Sequence, residues 1–222
     1  MRHNPLVIFG LGELAEVAAF YFEHDSDRQV AAFASDGEFL QQDSFCSKPA
    51  VALETLEQDF PTSDYDLFVA VGYSKINGLR EQKCQAALDK GYKLASYVSS
   101  KASLFPNFSC GWNCFILEDN TIQPFAQIGN GVTLWSGNHI GHHSKIGDFA
   151  FISSHVVISG GVSVGARTFM GVNSTTNDHI TIGQRCVIGS GSLVTKDVAD
   201  EGVVTAEPAR LAKIPSSKLR GF

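Results

Sequence analysis

Ile122-Gln-Pro-Phe-Ala-Gln-Ile128-Gly-Asn-Gly-Val-Thr-Leu134-Trp-Ser-Gly-Asn-His-Ile140-Gly-His-His-Ser-Lys-Ile146-Gly-Asp-Phe-Ala-Phe-Ile152 places an aliphatic residue at every sixth position. Followed outward, the same register runs unbroken from Val98 to Val194. Of its 17 positions 14 are Ile, Leu or Val, the others being Cys110, Met170 and Thr176. Glycine follows the register residue at 129, 141, 147, 165, 171, 183 and 189. A helix repeats near 3.6 residues and a strand at 2, so neither holds a strict period of six. A hexapeptide β-helix does. Three hexapeptides make a triangular coil of about 18 residues, the coils stack at about 4.8 Å, and the aliphatic residue of each hexapeptide fills the prism.

Before residue 98 the pattern differs. Leu6 to Phe9 reads as a strand, followed by Gly10-Leu-Gly12-Glu-Leu-Ala15 and an apolar helix to about Phe22. Gln29 to Ala34 and Leu67 to Val71 read as further strands, Ile76 to Lys90 as a helix, and Lys93 to Val98 as a fourth strand. Such alternation implies a small parallel, Rossmann-like sheet covered by helices. The expected organisation is an α/β N-terminal domain over 1–97 and a β-helix over 98–196. A tail over 197–222, with a short helix from Ser216 to Arg220, is expected to cover the free end of the solenoid.

The chain has 222 residues, 44% hydrophobic and 18% charged, with a net charge of -6. It is globular, and without a basic cluster it suits neither a nucleic acid nor an anionic membrane surface. No apolar run is long enough to span a bilayer. The N-terminus lacks the apolar region and cleavage site of a signal peptide, so a cytoplasmic location is expected. Five cysteines make an odd count, which fits reduced, partly buried thiols better than a disulfide framework.

Four of the seven histidines fall between 139 and 155: His139, His142, His143 and His155. His142 lies two past the inward Ile140, so it points outward near a turn. One coil of 18 residues carries 142 onto Gly160 and 155 onto Asn173. A histidine above the gap left by a glycine leaves room for a substrate and an exposed backbone N–H able to polarise a carbonyl. Solvated turn histidines are the competing reading. The Gly10-x-Gly12-x-x-Ala15 turn can hold phosphates at a helix N-terminus. A complete dinucleotide fold needs more chain than precedes the repeats, which argues against NAD. Asp36, closing the second strand, is a candidate contact to a base or ribose, and Ser74 and Lys75, after the third, to a diphosphate. Phe149, Phe151, Phe169 and Trp135 lie off the inward register, where a three-fold assembly, the sheet domain or the tail would have to cover them.

Val7-Ile-Phe-Gly-Leu-Gly12, Phe68-Val-Ala-Val-Gly72, Ile140-Gly-His-His143 with Ile146-Gly-Asp-Phe149, Gly171-Val-Asn-Ser174 and Ala206-Glu-Pro-Ala-Arg210 carry a resemblance. In order and spacing the chain resembles the hexapeptide-repeat nucleotide-sugar acetyltransferases, of the sialic-acid O-acetyltransferase and the bacillosamine and perosamine N-acetyltransferase type. The resemblance implies a left-handed β-helix, a homotrimer with sites in the seams, and acetyl-CoA as co-substrate without a metal. It implies a nucleotide-linked amino sugar as acceptor, UDP favoured, as in lipopolysaccharide, capsule or glycoprotein sugar synthesis. It places the catalytic base on His142, with His143 and His155 as further catalytic candidates. It places CoA contacts on Gly160, Asn173, Ser190, Pro208 and Arg210, and acceptor contacts on Gly10, Gly12, Asp36, Ser74 and Lys75. Relatives mostly follow the catalytic histidine with Glu or Asp, where this chain has His143; either His155, His139 or Asp148 then orients the base, or a carboxylate is unnecessary. O-acetylation is the close alternative. A zinc hydro-lyase of the γ-carbonic-anhydrase kind and a non-enzymatic scaffold or nucleotide-sugar sensor are the more distant ones.

Overall fold

A computed structural model describes residues 3–211 and 213–218. The first part contains β1 (Leu6–Phe9), α1 (Glu13–His24), β2 (Val30–Ser35), β3 (Ser44–Phe45), β4 (Lys48–Ala52), α2 (Leu56–Asp59), β5 (Asp66–Val69) and α3 (Gly78–Asp89). The sheet has the order β3-β4-β2-β1-β5, parallel throughout except for β3. All four residues of β1 are buried. Leu6 and Ile8 pack with Ala15 and Phe22 of α1, while Val7 and Phe9 pack with Cys84 and Ala87 of α3. A strand covered on both faces reads as a continuous apolar run, as this one does.

The expected fourth strand over 93–98 is divided between the two halves of the molecule. The Leu67 N–H donates to the Lys93 carbonyl, and the Ala95 N–H to the Leu67 carbonyl, each at 2.9 Å, which extends the sheet edge. Two residues later Tyr97–Val98 pairs with Phe115–Ile116 and opens the β-helix. The chain thus enters the solenoid without a linker, and Phe115 and Leu117 complete the core that lies on the α1 side of the sheet.

From there the chain forms a left-handed parallel β-helix with three faces. The first contains the strands at 97–98, 115–116, 133–134, 151–152, 169–170, 187–188 and 203–204; the second those at 121–122, 139–140, 157–158, 175–176 and 193–194; the third those at 127–128, 145–146, 163–164 and 181–182. Pairing is 18 residues apart, as in Leu134 with Ile152 and Ile140 with Ile158. The inward aliphatics form one buried column from Ile116 to Val194. Each buried aliphatic contributes about 1.5–3 kcal/mol. Thr176 is inward and buried, and its hydroxyl oxygen accepts the Ser159 N–H at 3.0 Å, which settles its polar atom.

The last coil is two residues short: Val187 and Ile188 pair with Val203 and Val204, and Ile182 bridges Val198. Within the expected tail, Val198 and Val204 pack on the end of the column, whereas residues 205–211 are exposed. Of the expected tail helix, Ser216–Lys218 is a single 3-10 turn, and Leu219 and Arg220 lie outside the described residues. Of the aromatics off the inward register, Phe149 and Phe151 are buried within the chain, and Phe169 and Trp135 are half-buried. Phe149 packs on Trp112 at 5.6 Å, and Tyr73 packs on Phe151 and Phe169 at 5.2 and 5.0 Å between ring centres. They are filled by the sheet domain and by one another, and give no support to an assembly.

Candidate active site

His142 lies on the corner between the second and third faces. Its N–H donates to the Gln123 side-chain oxygen at 2.9 Å, and its carbonyl accepts the Gly161 N–H at 2.8 Å. The Cε1–Nε2 edge of the ring rests against Gly160: a Cβ at Gly160 would stand 2.6 Å from both atoms. The stacking of 142 under 160 read from the coil period is therefore observed. No acceptor among the described residues takes the Gly160 N–H. A free Nε2 edge beside an unclaimed backbone donor is an arrangement for proton abstraction next to a developing oxyanion.

His143 follows in the left-handed region at φ 59, a conformation that recurs at the corners of successive coils. Its Nδ1 lies 3.2 Å from the Nδ1 of His142, and its ring lies over Phe125 at 4.7 Å between centres. His155, with φ 58, sits on a different corner, between the first and second faces, over Gly137. Within one chain the whole second face separates it from His142. Asp148 is on the third corner, accepting the Asn130 N–H at 2.8 Å. Among the described residues the His142 ring bonds the side chain of His143 and not that of His155, His139 or Asp148.

The expected CoA contacts divide in the same way. Gly160 shares the His142 corner. Asn173 and Ser190 run up the His155 corner, with Ser190 against Gly171. Pro208 and Arg210 are exposed in the tail. Among the described residues no group of three His, Cys, Asp or Glu side chains is placed to hold a metal ion.

At the carboxyl ends of β1, β2 and β5 a cavity of about 450 Å³ opens beside Phe9, Ser35, Asp36, Phe39, Lys75 and Lys83. Lys83 Nζ bonds Asp36 at 2.6 Å and lies 5.6 Å from the Phe9 ring centre. This is the crevice that open α/β sheets offer to ligands. Gly10, at φ 134, lets the chain turn where a Cβ would stand 2.9 Å from the Ala70 carbonyl oxygen. Gly12 begins α1 with no side-chain cap and open space around it, although Glu13 and Glu16 occupy the first turn. Asp36 and Lys75 thus share one cavity; Ser74 lies in the loop beside it.

That loop is held from both halves of the molecule by residues the sequence reading missed. Lys75, Ile76 and Asn77 are all left-handed, with φ 54, 50 and 61. Arg167, from the β-helix, donates to the Ile76 and Lys75 carbonyls at 3.2 and 3.3 Å. Arg80 donates to the Val71 and Gly72 carbonyls and to the Asn77 side-chain oxygen. Three consecutive strained residues of this kind, one of them β-branched, persist only when their surroundings hold them. A guanidinium bonded to carbonyls has no signature in a sequence; the small Gly78, which admits the Arg167 head group, is the one local sign.

Residues 125–160 match the bacterial transferase hexapeptide family, described as six repeats. A crystal structure of a histidine-to-asparagine mutant of perosamine N-acetyltransferase from Caulobacter crescentus, in complex with CoA and GDP-perosamine, superposes with this hexapeptide-repeat chain at TM-score 0.80. It is 25% identical, with 90% of this chain and 92% of that one covered. The acetyltransferase domain of PglB from Neisseria gonorrhoeae FA1090 shares the fold at TM-score 0.81 and 22% identity, covering 94% and 99%. Galactoside O-acetyltransferase of Escherichia coli (strain K12) is 31% identical over 111 residues, 48% of this chain and 51% of that protein. The hexapeptide-repeat chain spans about half or less of the length of the curated relatives it matches.

Proposed function

We propose that this chain is an acetyl-CoA-dependent N-acetyltransferase acting on the amino group of a nucleotide-linked amino sugar. The observation that carries the reading is the His142 Nε2 edge resting against Gly160, whose N–H is unclaimed. In the reaction the sugar nitrogen attacks the thioester carbonyl carbon and a C–N bond forms. His142 takes the nitrogen's proton on Nε2 while the Gly160 N–H holds the thioester oxygen. The C–S bond then breaks, and the proton passes to the departing CoA sulfur.

The cavity beside Asp36, Lys75 and Lys83 would take the nucleoside diphosphate, with Lys75 and the α1 N-terminus at Gly10 and Gly12 facing its phosphates. UDP is the first nucleotide to try, and the GDP-perosamine complex of the Caulobacter protein makes GDP the second. In this reading 1–97 binds the nucleotide-sugar, 98–196 performs the transfer and 197–222 is the capping tail, from which Pro208 and Arg210 reach CoA.

The chain assembles as a homotrimer in this reading. Of the outward residues, Phe115, Phe151 and Phe169 on the first face face the sheet domain or Tyr73, and the third face presents Gln127, Lys145, Ser163 and Thr181. The second face presents Val157 and Leu193, 38% and 63% exposed, and would lie in the seam. A seam there brings the His142–Gly160 corner of one protomer to the Asn173–Ser190 corner of the next, which one CoA could then touch. The reaction is one of the cytoplasm; no helix among the described residues is long and apolar enough to cross a membrane. O-acetylation is the second reading, since the galactoside relative is an O-acetyltransferase and the same base serves a hydroxyl.

The test is release of free CoA from acetyl-CoA, followed with a thiol reagent, against a panel of UDP-, dTDP- and GDP-linked amino sugars and their hydroxyl counterparts. Turnover with an amine supports the proposal. Turnover with hydroxyl sugars alone moves it to O-acetylation, and silence across the panel rejects it.

A further inference from the structure

We infer that His143 is a positioning residue that takes the place of a carboxylate behind the base, holding His142 in the tautomer that leaves Nε2 free. The inference rests on His142 being the base, as proposed above.

The two Nδ1 atoms are 3.2 Å apart, with the rings nearly perpendicular at 84°. A bond between two imidazole nitrogens needs one N–H and one lone pair. If His142 donates, its lone pair is on Nε2, the edge that rests on Gly160, and His143 carries its own proton on Nε2. If His143 donates instead, His142 is protonated on Nε2 and cannot act as a base. The first arrangement is the one that gains as the reaction proceeds. When His142 takes a proton it becomes an imidazolium, and its Nδ1–H bond to a neutral acceptor becomes charge-assisted.

His143 is fixed without help from His142. Its backbone is left-handed at φ 59, its N–H donates to the Pro124 carbonyl at 3.3 Å, and its ring lies over Phe125 at 35°. Phe125 is 62% exposed and itself left-handed at φ 68, so it serves as a platform for the His143 ring and adds little to the core. The backbone N–H of His142 is separately held by Gln123.

The pair has no anionic partner among the described residues. The turn on one side contributes Gln123, Pro124 and Phe125, and the turn on the other Gly160 and Gly161, none of them ionisable. His179 lies beyond Gly161, paired with Asp178 at 3.1 Å, and Lys145 points outward from the third face. A carboxylate behind His142 would stabilise its charged form and raise its proton affinity; a neutral imidazole does so far less.

The experiment is the pH profile of kcat/KM for acetyl transfer in the wild type, His143→Leu, His143→Asn and His143→Glu, with His142→Ala as reference. His143→Leu, which fills the space but accepts no hydrogen bond, is expected to lower kcat about tenfold or more with both KM values within about twofold. His143→Asn, whose amide oxygen accepts the Nδ1–H, restores most of that loss. His143→Glu moves the acidic limb up by roughly one pH unit. The inference is overturned if His143→Leu matches the wild type, if Asn is no better than Leu, or if the limb stays in place in the Glu variant. An inactive His142→Ala alongside unaffected His143 variants rejects the positioning role and leaves the base assignment standing. An active His142→Ala rejects the base assignment itself. Thermal melts of the four variants show whether a loss of rate is a loss of fold.

Discussion

The Arg80 guanidinium donates to the carbonyl oxygen of Phe149 at 2.7 Å across 69 positions of sequence. It also donates to the Gly131 carbonyl at 3.1 Å, so α3 of the sheet domain is tied to two successive turns of the β-helix. Arg80 is 2% exposed, and burial pushes its pKa down to about 10, which leaves it charged at neutral pH. Its hydrogen-bond partners are carbonyls and the Asn77 amide, with no carboxylate.

Arg80→Leu therefore strips donors from several buried carbonyls at once. Each orphaned group costs about 1–3 kcal/mol, so a loss of about 3 kcal/mol or more in unfolding free energy is expected. Arg80→Lys, lacking the planar fork, recovers only part of it. Denaturant unfolding measures both.

Gly160→Ala places a methyl where a Cβ would be 2.6 Å from the His142 ring. The ring must move off the acyl site, and displacements of about 1 Å cost on the order of a hundredfold in rate. The expected outcome is that loss in kcat with a melting temperature close to wild type, read by steady-state kinetics and thermal denaturation.

Asp36→Asn removes the carboxylate charge from the 2.6 Å ion pair with Lys83 in the cavity proposed for the nucleoside diphosphate. A rise of about tenfold in KM for the nucleotide-sugar, equivalent to about 1.4 kcal/mol, is expected with KM for acetyl-CoA unchanged. Equal effects on both substrates would place the nucleotide elsewhere.

Asp25 accepts from the Ser100 N–H at 2.9 Å, the Tyr97 hydroxyl at 2.6 Å and the Ser99 hydroxyl at 3.1 Å. These bonds hold its pKa down at about 2. A folded pKa below the unfolded value, about 3.9, stabilises above that value and ceases to do so as pH falls through the folded one. Stability should therefore fall between about pH 4 and pH 2, and Asp25→Asn should flatten that part of the curve. Chemical denaturation at a series of acidic pH values tests it.

The inward column from Ile116 to Val194 was legible because every hexapeptide repeats one requirement, an aliphatic residue that fills the prism. Legibility stopped at Val198, where a coil two residues shorter breaks the period. The hairpin of β3 and β4 was missed: β3 has two residues, β4 carries Pro49, and the turn uses Cys46 and Ser47 in left-handed conformations instead of glycine. The His142–Gly160 contact followed from adding one coil to a residue number. The separation of His155 from His142 onto different corners was only half visible, since a spacing of 13 excludes stacking without naming the edge. Arg80 and Arg167 were invisible as supports, because a guanidinium bonded to backbone carbonyls, as both are, reads in sequence as an ordinary surface charge; Arg167 also pairs with Glu81 at 3.2 Å.

The central claim is that His142 and Gly160 transfer an acetyl group to a sugar amine. Its most direct test follows the acetylated product by NMR for the wild type and His142→Ala, with binding of CoA and nucleotide-sugar to both measured by calorimetry. The account predicts an amide-linked acetyl group from the wild type, and product formation slower by roughly a hundredfold or more in His142→Ala, whose two binding affinities are retained. An undiminished rate of acetylation by His142→Ala would contradict it.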